Sequence, residues 1–124
     1  MEIALVTQKI IKTHPGSNVK NFELPSEISR YFEFDNSVVF LLYDDLKKRE
    51  SKIIGVQFSK SQYSFFISWE FQIKDGLGEI HEIVLMERKI FNNKEVIYCY
   101  GWGFDIGYYL EPDTGKILHT EPIK

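Results

Sequence analysis

Three histidines and one cysteine are the side chains best able to do chemistry near neutral pH. His14, His81 and His119 stand far apart, and none has a second His or Cys at the short spacing that zinc sites use. They read as solvent-facing or hydrogen-bonded structural residues. Cys99 lies between Tyr98 and Tyr100 with no histidine close in sequence, whereas a nucleophilic thiolate needs an electropositive, partly exposed setting with a base beside it. It reads as a small buried hydrophobe. Gly76-Leu77-Gly78 and Gly101-Trp102-Gly103 each hold a G-x-G, but neither has the third glycine and helix of a dinucleotide fingerprint. No G-x-S-x-G is present. Carboxylates on separate strands could converge as an acid/base pair, but no spacing singles one out, and Glu70, Glu82 and Glu87 read as the solvated face of a sheet. The expectation is a non-enzymatic chain with no catalytic residue, no metal and no cofactor.

Charge narrows the partners. Fifteen Lys and Arg against eighteen Asp and Glu give a net charge of −3 and a pI near 5.6. Nucleic-acid binders show the opposite balance. The basic run Lys47-Lys48-Arg49 is diluted by Asp44, Asp45 and Glu50, so it is no coherent phosphate-tracking patch. Trp102, flanked by glycines, reads either as a core plug folded back onto the sheet or as an exposed interface anchor. Asp105 reads as a turn cap or as a carboxylate offered to a cationic partner.

The elements that must position these residues read as strands. From Val96 to Leu110 every even position is apolar or aromatic, while the odd ones, Ile97 among them and with Tyr109 the large exception, are smaller or polar. That two-residue period places one row in a core and the other toward water. Glycines around Trp102 mark a bend between strands near 95–100 and 105–110. Glu111-Pro112-Asp113-Thr114-Gly115 then reverses the chain into a strand over Lys116–Thr120.

Upstream, residues 3–12 fit a strand or a short helix equally, and His14–Asn18 is a loop by composition. Ser29–Tyr43 reads as a hairpin about Asp35-Asn36, its return strand apolar on both faces, as for a central strand covered twice or one at a subunit contact. Asp44–Lys52 is a charged connector with room for one helical turn. Ile53–Phe58 and Phe65–Ile73 are strands, the latter with Phe65, Ile67, Trp69, Phe71 and Ile73 all inward. His81–Phe91 and Glu95–Tyr100 form a hairpin about Asn92-Asn93.

The expected fold is therefore all-β and mainly antiparallel: one domain over 1–124, a meander, sandwich or partly open barrel of about eight or nine short strands. The N-terminus lacks the basic flank and long apolar run of a signal peptide or membrane span, and the single cysteine excludes an internal disulfide. A cytoplasmic protein without a membrane partner is expected.

The paired strands Phe32–Tyr43, the Trp69-Glu70-Phe71 strand, Gly101-Trp102-Gly103-Phe104 and the run Tyr108–Leu118 resemble small bacterial immunity proteins of polymorphic toxin and contact-dependent growth inhibition systems. That resemblance implies a cytoplasmic protein that neutralises a cognate toxin domain, commonly a nuclease, by covering its active site. Contact is expected at Asp44, Asp45, Glu70, Trp102 and Asp105, with the chain a monomer or weak homo-oligomer. The alternative is a small-ligand or enzymatic β-barrel or sandwich whose pocket is lined by Tyr98, Tyr100, Trp102 and Tyr108. A cavity of ~300 Å³ or more with convergent polar groups would favour it.

Overall fold

The computed structural model describes residues 5–6, 10–12, 22–43, 51–62 and 64–123. Every regular element among them is a strand: β1 (Leu5–Val6), β2 (Ile10–Lys12), β3 (Phe22–Glu23), β4 (Glu27–Glu33), β5 (Val38–Tyr43), β6 (Lys52–Ser59), β7 (Ser64–Phe71), β8 (Ile73–Lys74), β9 (Ile80–His81), β10 (Ile83–Phe91), β11 (Lys94–Gly101), β12 (Ile106–Leu110) and β13 (Ile117–Pro122). All pairings are antiparallel between sequence neighbours. They make sheets β4-β5-β6-β7 and β10-β11-β12-β13, a smaller β1-β2-β3 sheet and the β8-β9 ribbon. The fold is an open all-β sandwich, not a closed barrel. The expected loop at His14–Asn18 and all of the charged connector except Ser51 and Lys52 lie outside the described residues; Lys52 opens β6.

Two apolar layers sandwich the β4–β7 sheet. Val39, Leu41, Ile53 and Trp69 on one face meet Ile83, Met86, Ile97, Cys99 and Leu110 from around the second four-stranded sheet. On the other face Val38, Phe40, Leu42, Ile54, Val56 and Phe65 pack with Leu24, Phe22 and Ile28. The apolar run of β5 is thus explained within one chain, as a central strand buried on both sides. Polar stitches join the layers: Ser51 Oγ accepts from Ile83 N at 2.7 Å, and Arg88 lies over the Phe32 and Phe34 rings while donating to the Glu33 carbonyl.

Two expectations about facing are corrected. Phe65–Ile73 does not present one continuous inward row. Ile67 opposes Val56 while Trp69 opposes Gly55, so Ser68 is an extra residue and the strand turns over there. Phe65 and Ile67 pack in one layer, whereas Trp69, Phe71 and Ile73 pack in the other. Likewise the even row of Val96–Leu110 is split. The pairing Ile97↔Leu110, Cys99↔Tyr108 and Tyr98↔Tyr109 sets odd positions on β11 opposite even ones on β12, and even opposite odd. Ile97, Cys99 and Leu110 therefore enter the shared core, while Tyr98 and Tyr109 pack edge-on at 4.9 Å on the outer face. A Cβ on Gly107 would sit 2.4 Å from Tyr98 Oη, so glycine lets that phenol lie across its neighbouring strand.

Candidate partner-binding site

The β8–β9 ribbon and the β11–β12 turn meet at one corner. Asp75 builds the ribbon's turn: its Oδ1 accepts from Leu77 N at 2.8 Å and Glu79 N at 3.0 Å, the side chain standing in for a backbone acceptor. Gly78 takes φ +82°, a left-handed torsion that glycine adopts without penalty, and Leu77 at the tip is 91% exposed. His81 then ties the ribbon to the turn. Its Nε2 lies 3.0 Å from Asp75 Oδ2, and its Nδ1 lies 3.0 Å from the Trp102 carbonyl oxygen.

The chemistry of those partners fixes the proton count. A carbonyl and an ionised carboxylate only accept, so both bonds hold at once only when His81 is the imidazolium, donating from both nitrogens. Accordingly the bond to the Trp102 carbonyl, followed by that to Asp75, raises the His81 pKa above its ordinary 6.5. The same pair, with His81 first and the Leu77 amide next, lowers the Asp75 carboxyl. The Phe104 ring packs on the imidazole at 5.1 Å.

Trp102 is therefore held by its main chain. Its amide donates to the Glu82 carbonyl at 2.7 Å and its own carbonyl accepts from His81, yet its side chain leaves the residue 71% exposed. Gly103 at φ +71° completes the turn. A cleft of about 230 Å³ opens between the indole and the ribbon, lined by Glu79, Ile80, His81, Glu82, Trp102 and Gly103.

Of the expected contact residues, the fold brings Trp102 and Asp105 together at this turn. Asp105 is exposed, and its engaged group is the carbonyl, which accepts from Ile123 N at 2.9 Å. Glu70 sits apart on β7 and pairs with Lys52 Nζ at 3.4 Å. Asp44 and Asp45 lie outside the described residues. Sequence reasoning missed Asp75, Glu79 and the bridging role of His81, and it took Glu82 as solvated sheet surface. The only trace in the chain is the Lys74–Gly78 turn, which folds residue 81 back toward residue 75.

The aromatic residues expected to line one pocket do not converge. Tyr98 and Tyr100 stack edge-on at 6.2 Å on the outer sheet face, Tyr108 packs against Phe71 on the inner face, and Trp102 stands in the turn. A polar groove of about 350 Å³ instead lies among Phe34, Asp35, Asn36, Asn93, Lys94, Glu95, Glu111, Pro112 and Asp113 at three hairpin ends. There burial pushes the Glu111 carboxyl up, but hydrogen bonds from Lys94, Thr114 and Asp113 outweigh it and leave the carboxyl lowered. Cys99 is fully buried, and burial pushes its thiol up to about 12, far from a ready thiolate. Among the described residues no group of His, Cys, Asp and Glu is arranged to hold a metal ion, and no helix is long and apolar enough to cross a membrane. No protein-family model, no curated protein and no solved structure matches the chain.

Proposed function

We propose that the chain works by binding another protein in the cytoplasm, as an immunity protein that neutralises a cognate toxin domain by covering its active site. The observation that carries this reading is Trp102. A large indole left mostly in water, on a turn whose backbone is braced by two hydrogen bonds, suits an anchor, because little backbone freedom is lost when a partner covers it. The net charge of −3 favours a basic partner such as a nuclease domain and disfavours nucleic acid itself, and charge complementarity speeds encounter. Small-ligand binding is the second reading, supported by the volume and polar lining of the groove at the hairpin ends.

The test is mixing the purified chain with the product of the neighbouring gene in the same operon, assayed for toxin activity. A stable complex and loss of toxin activity are expected. Separate elution of the two proteins with full toxin activity overturns the reading.

A further inference from the structure

We propose that the cleft between the β8–β9 ribbon and the β11–β12 turn receives an arginine side chain of the protein partner, its guanidinium plane on the Trp102 indole and its N–H groups toward Glu79 and Glu82. This rests on the protein-binding reading above. Three properties of the cleft converge on that occupant. Its volume of about 230 Å³ lies below the ~300–1,000 Å³ of sites that enclose whole small molecules, but it admits one long side chain. Its wall carries an exposed indole, the aromatic face that binds cations best.

Its charge is acidic and only partly compensated. Among the described residues, Asp75, Glu79, Glu82 and Asp105 stand around the corner against two cations, His81 and Lys74, the latter paired across the ribbon from Ile80. The His81 charge is already directed at Asp75 on one side and at the Trp102 carbonyl on the other. Among the described residues Glu79 and Glu82 make no ion pair. Arginine suits the site better than lysine because a planar guanidinium stacks on an indole and still presents a fork of donors to carboxylates, whereas an ammonium is a compact, strongly hydrated point charge. Preorganisation adds to this: the hydrogen bonds at Trp102 N and O hold the ring's backbone in place before any partner arrives.

The experiment follows ¹H–¹⁵N spectra of the full chain during titration with the peptide acetyl-Gly-Arg-Gly-amide and with its citrulline counterpart, which keeps the shape and loses the charge. The arginine peptide is expected to move the Trp102 Nε1–H signal and the amides of residues 80–82 and 103. The citrulline peptide should not, and Trp102→Ala or Glu79→Gln with Glu82→Gln should abolish the response. Equal shifts from both peptides, no shift from either, or shifts confined to the groove near Asn93 overturn the proposal. In the toxin complex the same substitutions should weaken binding at least about 30-fold. A complex that forms with undiminished affinity in these variants refutes the arginine cleft and leaves the immunity reading standing. A cleft that responds to the arginine peptide in a chain that ignores the toxin domain refutes the immunity reading alone.

Discussion

The two tryptophans occupy similar sequence settings, Ser68-Trp69-Glu70-Phe71 and Gly101-Trp102-Gly103-Phe104, and meet opposite fates. Trp69 is 8% exposed, its ring lies against Gly55 and Gly115, and its Nε1–H donates to the Pro112 carbonyl at 2.9 Å. It joins the β4–β7 sheet to the turn between β12 and β13. Among the described residues Trp102 is bonded only through its main chain, and its ring stands largely in solvent. One tryptophan therefore belongs to the stability of the fold and the other to what the fold displays, and the same substitution at each should separate the two.

The largest effect is expected at Trp69. Trp69→Ala removes a core side chain and orphans the Pro112 carbonyl, at a cost of about 3–5 kcal/mol measured by urea denaturation. Gly55→Ala attacks the same contact from the other side. A Cβ there would lie 1.9 Å from Trp69 Nε1, and the ring cannot yield without breaking its bond to Pro112, so a loss of about 1–3 kcal/mol or more is expected. Gly115→Ala adds strain at φ +72° to a clash 2.4 Å from the same indole. Near-native stability in Trp69→Ala would remove the distinction between the two residues.

Trp102→Ala should leave the urea midpoint nearly unchanged, within about 0.5 kcal/mol, because little packing is lost. Its effect should fall on the partner complex, at about 2 kcal/mol or more by titration calorimetry. A large stability loss with intact binding would make Trp102 a structural residue after all.

The outcome at the two tryptophans shows where sequence reasoning reached and where it stopped. The strands, the hairpins about Asp35-Asn36 and Asn92-Asn93, and the reversal at Pro112–Gly115 were legible, because local turn chemistry and the two-residue period specify them. Asn92 and Asn93 indeed take φ values of 51° and 63°. What was not legible is which face each row occupies. A single extra residue at Ser68 inverts the strand beyond it, and the pairing register set by the Trp102 turn inverts β12 relative to β11. The site failed to show for a related reason: the His81 bridge joins residues 75, 81 and 102, and no local pattern announces a contact that only the closed corner creates.

Cys99 sharpens the comparison from the core side. Its buried thiol, with a pKa near 12, should resist a disulfide reagent at pH 8 in the native chain and react only as fast as the protein opens. The Trp69→Ala chain, being less stable, should react faster, and the Trp102→Ala chain at the native rate. Fast labelling of the native protein would show that the shared layer is not closed.

The smallest expected effect is a pH dependence confined to the displayed corner. The folded pKa of His81 is raised, so its contribution is complete below its unfolded value of about 6.5 and is lost as pH rises through the folded value. Neutral imidazole has one N–H for two acceptors, so one of the bonds to Asp75 and Trp102 must go, and the Trp102 turn loosens. Asp75 works in the other direction. Its lowered pKa keeps its contribution above the unfolded carboxyl value, to be lost only as pH falls through the folded one. Between these limits both partners are charged and the corner is tightest. Protection of the Trp102 amide, corrected for intrinsic exchange, should therefore decline as pH rises above about 6.5, while amides of β5, in the doubly covered sheet, should not change. In His81→Ala the Trp102 amide should lose that dependence. Equal decline in both regions would place the titration in the whole fold rather than at the corner that presents the indole.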